Sequence, residues 1–254
     1  MKPKDQILEV WGDLACFTRP ELKVERFSYP VITPSAARGI YDAIYCKPNK
    51  NISQAEFRWQ VTRIEMMAPP KFIALRRNEV KEKASVRNIV GCMNSESDDV
   101  PIIWADGSRN ELGSDQKGRT QRQTMALKDV RYRLHAEIRP WPGFMDRLPA
   151  LEAQFQRRAS QGKCLFQPYL GCREFPAYFE YIETDTPSNT TSGINMDVGL
   201  MLYDVFDLSK PGTAASKPCI SLFRAVIRDG ILTVPDYMSD QVYRGLEVDS
   251  AGTA

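Results

Sequence analysis

The sequence is almost without histidine: His135 is the single one in 254 residues. Its six cysteines (Cys16, Cys46, Cys92, Cys164, Cys172, Cys219) form no C-x-x-C pair. A Cys/His zinc site needs clustered ligands at short spacing, so the pattern argues against one, and reduced packing thiols are expected instead. Long apolar runs are missing as well. No window approaches the roughly 18 apolar residues of a membrane span, and the start MKPKDQILEV has no secretory apolar stretch. A cytoplasmic protein without a membrane partner is the expectation. There is also no internal repeat and no glycine-rich linker, which favours one α+β domain with insertions over 1–254.

What the chain does have is a hydrophobic content of 43%, enough for a substantial core. Its net charge is only +2, unevenly spread. Residues 176–254 hold 5 Lys/Arg against 11 Asp/Glu, a balance of −6, and residues 1–175 hold 29 against 21, a balance of +8. The basic part is the candidate for polyanion binding.

Periodicity places the elements. QILEVWGDLACF reads as a first strand. In FRWQVT, Phe57, Trp59 and Val61 alternate with polar residues, as in a half-buried strand. LKDVRYRLHAEI alternates cleanly, with Val130, Tyr132, Leu134, Ala136 and Ile138 on one face and Arg131, Arg133, His135, Glu137 and Arg139 on a wet or ligand-facing side. DVGLMLYDV is apolar on both faces, like a central strand. FRAVIRDGILTVP is a hairpin, because Asp229-Gly230 suits a tight primed turn. Residues 91–118 are polar and read as a surface excursion, and about 245–254 as a flexible tail.

Two helices are expected. Thr33 caps and Pro34 opens one that runs to about Tyr45 and is stopped by Pro48. Ala36, Ile40, Ala43 and Ile44 form its buried stripe, with Arg38, Tyr41 and Tyr45 on a neighbouring one. The second covers roughly 147–161, with Leu148, Leu151, Phe155 and Ala159 buried and Gly162 as its stop.

Seven blocks carry a family resemblance: VWGDLACFTRPELKVERFSYPVITPSAARGI, AIYCKP, RRNEV, RTQRQTMALKDVRYRLHAE, QPYLGCREFPAYFE, DVGLMLYDVFDL and FRAVIRDGILTVP. In their order and length the chain resembles the Cas-five family of CRISPR type I systems, specifically its subtype I-C (d-type) member. The resemblance implies a ferredoxin-like (RRM-like) domain of the repeat-associated RNA-binding superfamily with an added β-rich portion. It implies a protein that binds repeat RNA, cuts the precursor transcript without a metal or other cofactor, and caps the crRNA 5′ handle. The implied setting is the Cascade complex, beside the Cas-seven backbone and the Cas-eight large subunit, with target DNA met indirectly. A non-cleaving handle-binding and assembly subunit is the alternative.

Metal-independent RNA cleavage uses the 2′-hydroxyl as nucleophile, so the protein positions it, helps move its proton and stabilises charge on the phosphorane. Tyr, Lys, His and Arg suffice. The family's catalytic tyrosine, in an Ile-Tyr-Trp-Lys-Pro context, falls on Tyr45 in IYCKP. The family's Lys-His pair ahead of the second helix falls on Ala150 and Leu151, which do neither job. Arg147, one turn earlier, and His135 are the candidate replacements, and the third possibility is slow or absent cutting. Cys46 in place of tryptophan, and the extra residues NKNISQAEF, also depart from the family pattern. Arg19, Lys23, Arg26, Arg38, Lys47, Arg76, Arg77, Arg119, Arg122 and Arg173 lie in the matched blocks and form the expected RNA-binding set, since guanidinium and ammonium groups pair with phosphates and tyrosines stack on splayed bases.

Overall fold

The structure is a computed structural model and describes residues 2–22, 24–49, 54–94, 102–107, 109–114, 116–183, 193–212 and 216–246. In chain order its elements are β1 (Asp5–Ala15), β2 (Arg26–Phe27), α1 (Pro34–Ile44), β3 (Pro48–Asn49), β4 (Gln54–Ala55), β5 (Phe57–Met66) and β6 (Lys71–Val80). Then come α2 (Val86–Asn94), α3 (Arg109–Leu112), β7 (Arg119–Pro140), α4 (Leu148–Ala159) and the strands β8 (Tyr178–Ile182), β9 (Met196–Asp204), β10 (Ile220–Arg228), β11 (Ile231–Thr233) and β12 (Val242–Leu246). The chain divides into a larger unit, Met1–Ile73 with Met125–Ala254, and a smaller one, Ala74–Thr124.

A ten-stranded sheet runs β12-β10-β11-β5-β7-β1-β8, with β2 and β6 also on β7 and β9 on β10. The 22-residue β7 is its spine: it pairs antiparallel with β1 on one edge and with β5 on the other. In register, Ile138 lies across from Trp59 and Leu134 across from Leu8, so these apolar residues share one face. Against that face pack α1 and α4. Tyr41, Trp59 and Phe155 meet there, with ring centroids 4.7 to 5.7 Å apart.

The two helices follow their sequence signals. Thr33 Oγ1 accepts the Ala36 N–H at 3.2 Å, and Pro34 occupies the first turn. Leu148, Leu151, Phe155 and Ala159 are buried on α4, and Gly162, at φ +65°, ends it. The hairpin of β10 and β11 turns on Asp229 and Gly230, at φ 49° and 76°, both in the left-handed region a primed turn requires. Gly171 is demanded by a close approach: a Cβ there would lie 2.1 Å from the Cys16 carbonyl oxygen.

Four expectations are corrected. On α1, Tyr41 belongs to the buried side and not to a neighbouring stripe: it is fully buried and its hydroxyl lies 2.8 Å from the carbonyl oxygens of both Gln6 and Leu134. Ala36, expected inside, is half-buried. DVGLMLYDV is no central strand. Among the described residues β9 pairs with β10 alone, and its first half is largely uncovered. The polar face of β7 is not uniformly wet either, since Arg133 and His135 are both buried.

In the smaller unit α2 has no buried residue, and residues 102–107 are exposed. Residues 95–101, and 247–254 of the expected tail, lie outside the described residues. No helix among the described residues is long and apolar enough to cross a membrane.

Candidate functional site

Tyr45 caps the C-terminal end of α1. Its N–H reaches the Tyr41 carbonyl at 2.8 Å, its carbonyl accepts the Trp59 indole N–H at 3.0 Å, and its ring stacks on Phe57 with centroids 5.4 Å apart. Backbone and ring are therefore held by two elements, α1 and β5, and the residue is 7% exposed. Burial pushes its phenol above the ordinary value. The Glu56 carboxylate pushes the same way, while Arg147 and Arg158 pull it down. At neutral pH the group is a protonated donor and not a ready base.

Glu56 is the centre of the charges around it. It lies in the bend between β4 and β5, 3% exposed, with its N–H on the Lys47 carbonyl (3.1 Å) and its carbonyl accepting from Trp141 (3.0 Å). Its Oε1 accepts from Arg147 Nη1 at 2.8 Å, and its Oε2 lies 3.5 Å from Lys47 Nζ. Arg147 and Lys47 are 40% and 37% exposed, so both cations reach water beside a buried carboxylate. Arg158 donates to the Ile44 carbonyl at 2.8 Å, placing positive charge on the negative end of the α1 dipole. Tyr45, Lys47 and Arg147, read separately from the sequence, are thus brought to one place. Glu56 and Arg158 were missed. No spacing rule marks them, because what unites the group is the return of the chain to the end of α1.

Ala150 and Leu151, where the resemblance puts the Lys-His pair, carry no acid or base in the structure. Leu151 is 1% exposed in the core, and Ala150 carries no proton-transfer group. His135 is removed from the candidate set. It lies on the sheet face opposite Leu134 and Ile138 and is 0% exposed, with Nδ1 2.7 Å from Asp5 Oδ2 and Nε2 3.2 Å from Glu65 Oε1. Burial opposes its charge, but the hydrogen bonds to Asp5 and Glu65 outweigh that and its pKa is raised. A buried, charge-paired imidazole on the far face does not meet RNA at Tyr45.

The expected RNA-binding residues separate by their partners. Arg38 is corrected to a fold residue. It takes Asp204 through two nitrogens at 2.7 and 3.1 Å and Asp42 at 2.6 Å, tying α1 to β9. Burial works against its charge, but Asp204 and then Asp42 more than compensate and raise its pKa. Arg26 spans Glu174 at 2.7 Å and the Cys172 sulfur at 3.3 Å. A hydrogen bond from Cys16, then the Arg26 charge, bring that thiol down to about 7. Arg19 lies over the ring of Tyr29, 4.6 Å from its centroid. Arg173 is exposed. Arg76, Arg77, Arg119 and Arg122 all belong to the smaller unit, where Arg77 bonds Thr124 (2.8 Å) and Glu79 (2.5 Å) and Arg119 lies 3.7 Å from Asp106. Lys23 lies outside the described residues.

Comparison with known proteins adds the family. The family model described as CRISPR-associated protein (Cas_Cas5) matches residues 7–235. Two curated relatives are named CRISPR pre-crRNA endoribonuclease Cas5d. The one from Mannheimia succiniciproducens is 38% identical over 245 residues, covering 93% of this chain and 97% of that protein. The one from Thermus thermophilus is 38% identical over 249 residues, covering 93% and 94%. In fold, the chain is similar to a crystal structure of a CRISPR-associated protein (TM-score 0.59, 22% identity, 94% and 96% covered). It is similar also to SMU1763c of Streptococcus mutans (TM-score 0.57, 19% identity, 94% and 97% covered). With a match across nearly its whole length and relatives at this identity, the chain belongs to the Cas5 family of CRISPR-associated proteins.

Proposed function

We propose that this protein cuts precursor CRISPR RNA within its repeat and remains on the 5′ handle of the product, as a subunit of a type I-C surveillance complex in the cytoplasm. The relatives named as pre-crRNA endoribonucleases support the activity. The grouping of Tyr45 with Arg147 and Lys47 around Glu56 is the observation that carries it to particular residues.

The chemistry asked of the protein fits those side chains. The 2′-oxygen attacks the adjacent phosphorus, the 2′-O–P bond forms and the P–O5′ bond breaks, leaving a 2′,3′-cyclic phosphate and a 5′-hydroxyl. Arg147 and Lys47 neutralise charge on the non-bridging oxygens. The protonated phenol of Tyr45 donates to the phosphorane or to the departing 5′-oxygen, while the 2′ proton passes to solvent. Arg19, Arg26 and Arg173 in the larger unit, and Arg76, Arg77, Arg119 and Arg122 in the smaller one, serve the RNA backbone.

A ferredoxin-like core within one Cas-five domain over 1–254 accompanies this reading. Its support is the order β5-β7-β1-β8 generated by the sequence β1-α1-β5-β7-α4-β8, with both helices on one face. The Cas-seven and Cas-eight subunits are the proposed neighbours, and the acidic 176–254 part is the proposed docking region.

Incubating the protein with its own repeat RNA in EDTA tests the reading: specific cutting that Tyr45→Phe abolishes is the expected result. Ala150 and Leu151, at the positions of the family's Lys-His pair, give the non-cleaving reading its one support. Tight binding with intact RNA would establish it instead.

A further inference from the structure

We propose that Glu56 is the positioning residue of this site: its buried carboxylate holds the Arg147 guanidinium and the Lys47 ammonium beside the Tyr45 phenol, so that both cations meet RNA in one arrangement. The inference rests on the cleavage reading above. Long cationic side chains at a surface keep their rotamer freedom unless something holds them, and the entropy cost of fixing them slows a reaction that needs them in one place. Glu56 is fixed where they are not. Its backbone is bonded on both sides, to Lys47 and Trp141, and its side chain is enclosed while those of Arg147 and Lys47 are half-exposed.

Two further observations favour a functional over a packing role. Oε2 of Glu56 makes no hydrogen bond among the described residues, and only the Lys47 ammonium at 3.5 Å balances it. A buried acceptor left so poorly satisfied costs stability, and such groups concentrate where a site requires them. The second is the chain path. After Lys47 the chain leaves through β3 and returns through β4, which pairs with it, and this delivers Glu56 back to the Lys47 carbonyl. The carboxylate also adds to burial in raising the neighbouring phenol's pKa, which suits Tyr45 as a donor.

Single-turnover cleavage of the cognate repeat RNA is measured for the wild type, Glu56→Gln, Glu56→Asp, Tyr45→Phe and Arg147→Ala, with RNA affinity alongside. The Tyr45 phenol is titrated by NMR of ring-labelled tyrosine. Glu56→Gln is expected to cut at least roughly tenfold more slowly with affinity little changed, and its Tyr45 titrates at lower pH than in the wild type. Glu56→Asp, which keeps the charge but withdraws it by one methylene, also cuts slowly while its Tyr45 titrates as in the wild type. If Glu56→Gln does not fold, the Asp variant decides. Wild-type cutting by the folded Glu56 variants, with Tyr45→Phe and Arg147→Ala defective, overturns the positioning role and leaves the active site standing. Wild-type cutting by all four variants overturns both.

Discussion

Tyr41 and Tyr45 stand one helical turn apart, and their chemistry is separated by what surrounds each hydroxyl. The Tyr41 hydroxyl is spent on two backbone carbonyls inside the core. That of Tyr45 lies among Glu56, Arg147 and Arg158. Tyr41→Phe is therefore expected to lower stability by about 1 to 3 kcal/mol in urea unfolding and leave cleavage intact, whereas Tyr45→Phe leaves the unfolding midpoint nearly unchanged and abolishes cleavage. Arg38→Ala strands the buried Asp204 carboxylate, and about 3 to 5 kcal/mol of stability should be lost in the same measurement. His135 gives a pH signature. Its folded pKa is raised, so its contribution is fully present below the unfolded value of about 6.5 and is lost as pH rises through the folded value. Unfolding free energy should fall over that window in the wild type and stay flatter in His135→Gln.

At the level of elements, the candidate site is an end effect. The C-terminal end of α1, the turn before α4 and the bend into β5 converge, and their unpaired backbone groups are taken by Arg158, Trp59 and Trp141. A second junction fixes the end of β1. There the Cys16 N–H donates to the Leu170 carbonyl at 3.0 Å, and Gly171 lies against the Cys16 carbonyl. Gly171→Ala combines a positive φ with a backbone clash. More than about 1 kcal/mol of stability should be lost, seen as a fall in thermal midpoint, with Tyr45 chemistry retained at permissive temperature. The misreading of β9 belongs to this scale. An apolar run on both faces is the mark of a doubly covered strand, yet here the uncovered half carries Leu200 at an edge.

For the whole molecule, the charge balance of +8 over 1–175 against −6 over 176–254 sets how RNA is held. Binding through phosphates releases counterions, so affinity falls with salt, and for single strands each lost contact reduces the logarithmic slope by about 0.7. Arg173→Ala, at an exposed residue outside the Glu56 ion pairs, is expected to weaken repeat RNA binding and reduce that slope without changing the single-turnover rate at saturation. Filter binding across a salt series measures it. An unchanged slope would remove Arg173 from the RNA surface.

The sequence by itself determined the elements whose signals are local. Thr33 and Pro34 open a helix, Gly162 closes another, Asp229-Gly230 turns a hairpin, and alternation marks β5 and β7, because each of these depends on neighbours a few residues away. It also carried the family, through blocks spread along most of the chain. Only the tertiary structure decided which polar residues are spent on the fold and which remain for chemistry. Arg38 and His135 have the composition of a binding surface, but carboxylates from β9, β1 and β5 claim them. Lys47 and Arg147 are a hundred residues apart and become neighbours through Glu56. Burial and pairing are properties of distant contacts, and a one-dimensional pattern does not contain them.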